Sequence, residues 1–523
     1  MDEASRIRAA AQVIGLDFDE REVELMIPTL RTTLRSFEAL RGRPLANEVH
    51  PAFHFTPYLP GMKSRAVVYT ATDTERASRT AVSDDNGATL QIDYADIATL
   101  GRLLRARKLS CLELTEHFLA RLRALDKDLA FVVSYCEERA RSRAKLLDEE
   151  LQAGKLRGPL HGIPYGAKDL LAARGAPTTW GAKPFAQQVI DRDAHVVQKL
   201  EEAGAVLLCK TTLGALAMGD VWFGGTTKNP WNKAQGSSGS SAGSASAVAA
   251  GALPFAIGSE TLGSIVSPSV RCGCSSLRPT FGRVARSGAM TLCWTMDKLG
   301  PIARSAADAA LVFAAMHGSD GVDPTARDVP FVMPDRVDAT AIRVGYLGGS
   351  WTKEGDGERL LDELRKLGFD VFEVALPSFP LEPMLLSIRV EGAAAFDELT
   401  RSGRDDELVR QTRDAWPNLF RAARLVPAVE YLQANRLRTE LMRAYDEAFC
   451  AFDVLVHPPF AGGVLGATNL SGHPTFVAPH GPAAPLKAPP SICFTGPLDD
   501  EARPLAVVRA WQQSTKWHAQ RPK

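Results

Sequence analysis

Apolar positions alternate between two spacings from about residue 96 to the C-terminus. Leu114, Phe118 and Leu122 have helical spacing and follow a capping box formed by Ser110 and Glu113. Short continuous apolar runs, typical of buried strands, lie between such segments. The pattern predicts helices at Ala194–Ala203, Leu360–Leu367 and Pro427–Phe449, and strands at Ala205–Cys209, Ile342–Tyr346, Val371–Val374 and Val454–His457. This alternation favours an α/β fold with a largely buried mixed sheet.

The first 95 residues have a different pattern. Two amphipathic stretches, Glu3–Ile14 and Asp19–Leu40, predict helices. A connector rich in proline and aromatic residues follows at Pro44–Met62, and the polar stretch Thr70–Gly87 predicts a loop or linker. We therefore expect a helical extension and linker at 1–95 and one separate body at 96–523. The extension is expected to pack on this chain or on a second copy, so a homodimer is a possible assembly.

Composition narrows the class of protein. The 523 residues include 61 basic and 61 acidic side chains, and this balance argues against a nucleic-acid partner. The longest weakly polar run, Ala247–Gly258, has 12 residues, whereas a membrane span needs about 20. The start MDEASRIRAA does not resemble a signal peptide. We expect a soluble, cytoplasmic protein that does not bind membranes.

Eight cysteines are scattered without a CxxC pair. Their spacing favours buried, reduced thiols over a metal site, so no metal is expected.

The densest chemical signal is the Ser/Gly-rich tract Gly236–Ser269. A flexible linker would explain its first residues, but Ala245–Ala250 favours a helix and Pro254–Ile257 a buried strand. A glycine-rich loop that leads into a helix presents unpaired N–H groups, which suit an anion or an oxyanion.

Within this tract, Gly239–Gly243 also fits G-x-S-x-G, the nucleophile elbow of α/β-hydrolases. That alternative requires a buried strand before the motif and a histidine base such as His457, His473 or His480. The preceding KNPWNKAQ is polar and predicts a loop, so the elbow is the weaker interpretation.

A second turn lies at Glu260–Ile265. The backbone N–H groups of Thr261, Leu262, Gly263 and Ser264 can converge there on one oxygen and stabilise a tetrahedral intermediate. A nucleophilic serine also needs a base. Lys168 lies among small and apolar residues, where desolvation favours a neutral amine.

Several segments of residues 96–523 form one larger pattern. They are Gly162–Asp169, Pro177–Thr179, Gly225–Trp231, Ser238–Ala245, Glu260–Ile265, Cys272–Gly273, Leu277–Arg283, Asp297–Arg304, Phe452–Val456 and Asn469–Pro474. Together they resemble the amidase signature family, with a weaker match from about 320 to 425. The resemblance implies the amidase signature fold, a large twisted mixed β-sheet with helices on both faces, and makes 96–523 one amidase catalytic domain.

The resemblance also implies roles for three residues. Ser264 would be the nucleophile, Ser240 the bridging serine after a cis peptide bond at Gly239, and Lys168 the general base. Ser240 lies 24 residues before Ser264, which is the family's spacing and selects it over neighbouring serines. No cofactor is implied.

The chain departs from the family pattern near this turn. Glu260 stands where the family usually has Asp, Leu262 replaces a glycine and Val266 replaces an arginine; Ser238 and Ala242 also replace glycines. None of these changes removes a catalytic group, but they suggest a divergent branch with altered local packing.

The candidate substrate-binding residues are Met218 and Gly219, in a segment that borders the scissile site in the family, and Trp294. Leu292 and Met296 are further candidates for an apolar pocket. The expected partner is a small-molecule substrate, a small or aryl/acyl amide. The alternatives are a carbamate or ester hydrolase with the same triad, the glutaminase component of a tRNA-dependent amidotransferase, and a non-catalytic scaffold.

Overall fold

The computed structural model describes residues 2–42, 46–49, 53, 55–67, 92–334, 336–349 and 356–522. The predicted linker Thr70–Gly87 and parts of the connector predicted at Pro44–Met62 lie outside these residues.

Within the described ranges, α-helices occur in the N-terminal extension and throughout the body. They are α1 (Glu3–Val13), α2 (Glu20–Arg41), α3 (Ile97–Arg105), α4 (Cys111–Leu129), α5 (Glu137–Gln152), α6 (His195–Glu202), α7 (Ala242–Ala249), α8 (Val266–Cys272), α9 (Ala306–Met316), α10 (Asp356–Lys366), α11 (Leu381–Met384), α12 (Leu386–Ala395), α13 (Asp397–Arg401), α14 (Trp416–Ala423), α15 (Ala428–Ala448), α16 (Val464–Ser471) and α17 (Ala502–Thr515).

The strands alternate with these helices. They are β1 (Val132–Tyr135), β2 (Pro164–Lys168), β3 (Val206–Thr211), β4 (Val221–Trp222), β5 (Gly225–Thr226), β6 (Lys228–Asn229), β7 (Asn232–Gly236), β8 (Phe255–Glu260), β9 (Ser275–Arg278), β10 (Lys298–Ala303), β11 (Arg343–Leu347), β12 (Asp370–Val374), β13 (Val454–His457), β14 (Thr475–Pro479) and β15 (Ser491–Thr495).

Eleven strands form one mixed sheet in the order β1-β3-β2-β8-β10-β9-β14-β15-β13-β11-β12. β2 lies between β3 and β8 and is parallel to both. β10 runs antiparallel to β8 and aligns Lys298 with Glu260. The predicted α/β fold with a large mixed sheet flanked by helices is confirmed, and Lys168 and Glu260 end two neighbouring strands.

Local sequence explains why these elements form. Every residue of β2, β3 and β8 is buried, as expected for parallel strands covered on both faces. The predicted capping box is confirmed, because Ser110 and Glu113 satisfy each other's backbone N–H groups at the start of α4. The segment before Gly239 differs from the prediction. It forms a small β6–β7 ribbon rather than a loop.

The connector packs on this chain. The Phe55 ring lies edge-on to Phe281 with centroids 5.0 Å apart, and the Arg438 guanidinium lies 3.7 Å from the centre of the Phe55 ring. Tyr58 donates to Asp499 at 2.5 Å. These contacts tie the described part of the connector to Phe281, Arg438 and Asp499 of the body.

The helices of the described ranges are unsuited to crossing a membrane, since none combines sufficient length with sufficient apolar character.

Candidate active site

Lys168, the last residue of β2, is fully buried. Its Nζ lies 2.8 Å from Ser240 Oγ, 3.0 Å from Ser241 Oγ and 2.9 Å from Ser259 Oγ. A fourth contact, at 3.3 Å, is to the Ser259 carbonyl oxygen. Among the described residues, Lys168 forms no ion pair, so its surroundings are hydroxyls and a carbonyl.

This environment favours the neutral amine. Burial lowers the pKa of Lys168 well below its usual value of 10.5, and the negative charges of Asp297 and Glu260 only partly oppose the effect. A neutral lysine amine has a lone pair that can accept a proton from a neighbouring hydroxyl.

A tight backbone arrangement presents Ser240 to this amine. The peptide bond between Gly239 and Ser240 is cis. A Cβ added to Gly239 would overlap the Gly219 carbonyl oxygen, so only glycine fits there. Ser238 has a positive φ of 60°, a conformation that glycine adopts more readily.

Ser241 links the parts of the cluster. Its N–H donates to the Ser264 carbonyl oxygen at 3.1 Å, and its hydroxyl lies 3.1 Å from both the N–H and the carbonyl oxygen of Ser259. The backbone of Ser264 is thereby fixed beside Ser240 and Lys168.

Ser264 is half-buried at the end of the turn 261–264, in which Gly263 has a φ of +82°. In the part of the chain that the structure describes, the N–H groups of Thr261, Leu262, Gly263 and Ser264 donate to no protein acceptor. Four consecutive free donors beside a serine are suited to an oxyanion.

Glu260 fixes the end of this turn. One carboxylate oxygen accepts the N–H groups of Ile265 and Val266, at 2.8 and 3.0 Å. The other accepts from Arg278 at 3.0 Å and from Asn469 at 2.8 Å. Burial alone would raise the pKa of Glu260, but the Arg278 charge and these hydrogen bonds hold it at about 2. Glu260 is therefore an ionised structural anchor behind Ser264.

Asp297 fixes the other end. It accepts from the Thr261 hydroxyl at 2.5 Å and from the N–H groups of Leu292 and Cys293 at 2.8 and 2.9 Å. The turn is thus connected to the segment 291–295.

A small cleft adjoins the turn, and its lining is mostly apolar. Its lining comprises Leu170, Ala217, Ser259, Thr261, Arg286, Ala289, Met290, Thr291, Leu292, Asp297 and Leu299. Arg286 is already paired with Asp323 at 3.0 Å, so the cleft favours a neutral group.

The candidate substrate-binding residues lie in different places. Gly219 packs against Gly239, whereas Met218 lines a separate pocket with Trp416. Trp294 lines a larger, separate pocket between the connector and α12. Leu292 lines the cleft, and Met296 is buried in the core. The structure therefore brings Gly219 to the serine cluster, and places Met218 and Trp294 away from the cleft lining.

The nucleophile-elbow alternative does not fit this geometry. The residues before Gly239 belong to the β6–β7 ribbon, which is separate from the main sheet, and the hydroxyl of Ser241 is engaged by Lys168 and Ser259. The ring nitrogens of His457 contact Pro458 and Thr495. Within the described hydrogen bonds, no histidine contacts a serine of the cluster.

Sequence reasoning did not single out Ser241 and Ser259 as partners of Lys168, nor the linking role of Asp297. Ser241 neighbours Ser240 and Ser259 directly precedes Glu260, so their proximity to the motifs was a signal that could have found them. Asp297 is the first residue of Asp297–Arg304, one of the segments that resemble the family. Its contact with Thr261, however, depends on the pairing of β8 with β10, which the sequence alone does not give.

Comparison with known proteins now defines the family. The family model described as Amidase matches residues 113–471, more than half of the chain. The chain therefore belongs to the amidase signature family of amide hydrolases.

Particular relatives extend this match. The glutamyl-tRNA(Gln) amidotransferase A-subunit of Roseiflexus sp. (strain RS-1) is 31% identical over 468 residues, covering 79% of this chain and 95% of the relative. The same-named protein of Methylococcus capsulatus (strain ATCC 33009 / NCIMB 11132 / Bath) is 32% identical over 480 residues, covering 82% and 98%. The structure of native peptide amidase from Stenotrophomonas maltophilia is 29% identical with a TM-score of 0.71, covering 82% of this chain and 98% of that one.

Proposed function

We propose that this protein hydrolyses a small amide through an acyl-enzyme on Ser264, with Ser240 as the bridging serine and Lys168 as the general base. The observation that carries the proposal is the buried Lys168 amine, which lies 2.8 Å from Ser240 Oγ and has no carboxylate partner among the described residues. A buried lysine without a carboxylate partner is costly unless it is neutral, and a neutral amine is a base.

The chemistry follows from this arrangement. Ser264 Oγ attacks the amide carbon while its proton passes to Ser240 and the Ser240 proton passes to Lys168 Nζ. The free N–H groups of residues 261–264 stabilise the oxyanion. When the C–N bond breaks, the proton on Lys168 returns through Ser240 to the leaving nitrogen. Water then attacks the ester, giving the acid and restoring Ser264.

The cleft favours a neutral, partly apolar substrate group, such as a small or aryl/acyl amide. Its walls include Leu170, Met290, Leu292 and Leu299, and its one arginine is paired with Asp323. Carbamates and esters form the same kind of tetrahedral oxyanion, so the same residues would serve their hydrolysis.

The test uses a serine-directed fluorophosphonate and a screen of amides, carbamates and esters. Wild-type protein should be labelled and should turn over at least one amide, and Ser264→Ala should lose both activities. Ser267→Ala, which changes a neighbouring half-buried serine, is the matched control and should still be labelled. Undiminished labelling of Ser264→Ala would contradict the assignment of the nucleophile.

A second candidate is the glutaminase component of a tRNA-dependent amidotransferase, favoured by the identity to amidotransferase proteins over about four fifths of the chain. It predicts ammonia release from glutamine and co-purification with partner proteins. Two observations favour the stand-alone hydrolase. Arg286 in the cleft is already paired with Asp323, and Leu262 and Val266 depart from the family pattern next to Ser264. Glutamine in the same screen separates the two candidates.

A further inference from the structure

The connector reaches the wall of the cleft through Asn47. The N–H of Thr291 donates to Asn47 Oδ1 at 2.6 Å, and Asn47 Nδ2 donates to the Thr291 carbonyl oxygen at 3.0 Å. Nδ2 also lies 3.4 Å from the carbonyl oxygen of Ala395 at the end of α12. One side chain therefore pairs with both backbone groups of Thr291, as a neighbouring strand would.

A short chain of hydrogen bonds connects the segment that begins at Thr291 to the turn 261–264. The next two N–H groups, of Leu292 and Cys293, donate to Asp297, and Asp297 accepts from Thr261. Thr291, Leu292, Asp297 and Thr261 all line the same cleft. A displacement of Thr291 would therefore move a wall of this cleft, which adjoins the turn 261–264 through Thr261.

The far end of this segment is attached independently. Thr295 donates to Glu391 through its N–H and its hydroxyl, at 3.0 and 2.7 Å. Its carbonyl oxygen accepts from Arg438 at 2.9 Å. Arg286 also donates to the Trp294 carbonyl oxygen at 2.9 Å. Within the described ranges, the polar side chains that hold 291–295 are thus Asp297, Glu391, Arg438, Arg286 and Asn47. Of these, Asn47 is the one that comes from the extension.

We propose that Asn47 is a specificity-determining positioning residue: it holds Thr291 and so sets the size of substrate group that the cleft admits. The proposal rests on the proposed function and deepens it. Asn47 lies outside the matched residues 113–471, so a property of the active site depends on the N-terminal extension.

The experiment measures labelling rates with alkyl fluorophosphonates of increasing size, from methyl to hexyl. Asn47→Ala removes all three contacts, and Asn47→Asp keeps the acceptor for the Thr291 N–H while losing the two donors. Glu48→Gln is the matched control, because Glu48 is next in sequence and its exposed carboxylate pairs with Arg192 on the surface. Hydrogen exchange of residues 290–296 and the melting temperature are measured for each variant.

We expect Asn47→Ala to change the ratio of hexyl to methyl labelling rates at least about fivefold, the effect of one lost hydrogen bond, with faster exchange at 290–296. Asn47→Asp sets a carboxylate oxygen against the carbonyl oxygens of Thr291 and Ala395, so it should change the ratio at least as much as Asn47→Ala. Glu48→Gln should match wild type.

Two results would overturn the inference, and they are distinguishable. Normal labelling with an unchanged size ratio in folded Asn47→Ala and Asn47→Asp would overturn the role of Asn47 alone. Failure of wild-type protein to label with any probe would overturn the proposed function together with this inference.

Discussion

Two buried lysines on neighbouring strands have opposite surroundings. Lys168 ends β2, and Lys210 lies near the end of the parallel strand β3; both are fully buried. Lys210 Nζ lies 2.8 Å from a carboxylate oxygen of Asp169, with the Pro177 carbonyl and the Thr178 hydroxyl at 3.1 Å. Within the described residues, the hydrogen-bond partners of Lys168 Nζ are serine hydroxyls and a carbonyl.

The difference shows how one residue type serves two purposes at the same depth. A buried charge needs a partner of opposite sign, and Asp169 gives Lys210 that partner. Without such a partner, desolvation favours the neutral amine. Lys210 is therefore a structural cation, and Lys168 is suited to accept a proton.

Substitution of Lys168 is expected to have the largest effect on activity. Lys168→Met should lower kcat/KM for the best amide substrate by about 10³-fold, within the range for loss of a general base. Lys210→Met, if it folds, should lose far less. Steady-state kinetics on both variants, with circular dichroism to verify folding, make the comparison. A Lys168→Met enzyme within tenfold of wild type would remove the base assignment.

Substitution of Lys210 is expected to affect stability more than activity. Lys210→Met leaves the Asp169 carboxylate buried without its cation and should lower the free energy of unfolding by about 4 kcal/mol. The double variant Lys210→Met/Asp169→Asn should recover part of this loss. Urea denaturation of the two variants measures both effects. Equal stability of Lys210→Met and wild type would show that the ion pair is dispensable.

The pH dependence should test the protonation state of Lys168. Because burial lowers the pKa of Lys168, kcat/KM should rise as its amine loses a proton, at a pH well below 10.5. The unfolded chain binds this proton up to pH 10.5 and the folded chain does not, so stability also rises with pH in that window.

Lys298, whose pKa burial and the Arg278 charge lower to about 7, adds a similar slope above that pH. Lys168→Met removes the contribution of Lys168 alone. It should reduce the slope of unfolding free energy against pH by up to about 1.4 kcal/mol per pH unit. A kcat/KM profile that is flat up to pH 10 would argue against a titrating Lys168.

The smallest effect is expected at the edge of the Lys168 cluster. Ser259→Ala removes one hydroxyl 2.9 Å from Nζ and leaves the other contacts in place. A single hydrogen bond is worth about 1 kcal/mol, so kcat/KM should fall about fivefold. The same kinetic assay checks this value, and a loss as large as that of Lys168→Met would give Ser259 a direct role.

The two lysines also show what could be predicted from the sequence. Lys168 is recognisable because it lies in a motif that resembles the family's lysine segment. Lys210 lies in no such motif. The strand predicted at Ala205–Cys209 ends before Lys210, because charged residues are normally exposed. The observed β3 continues to Thr211. The reason is an ion pair with Asp169, 41 residues away, which a local pattern of apolar positions does not contain.

The same limit applies to the candidate site. The turn 260–265 and Ser240 are recognisable in short segments, and the alternation of helices and strands predicts the mixed sheet. Ser241 and Ser259 were not predicted as partners of Lys168. Asn47 is not recognisable as a contact of the cleft wall, because its partner Thr291 is 244 residues away. The ribbon β6–β7 was not predicted because its residues are mostly polar and show no alternation of apolar positions.

The attachment of the connector has a consequence for biosynthesis. Tyr58 of the connector and Asp499 are separated by 441 residues. Arg65, which follows the connector, hydrogen-bonds to Asp446, 381 residues away. The connector leaves the ribosome early, but its binding surface is completed only when the last strands and helices have been made. Contacts of such high sequence separation also carry a large loop-closure entropy, which slows their formation. Docking of the N-terminal segment should therefore be among the final steps of maturation, and the cleft wall held by Asn47 would be completed with it.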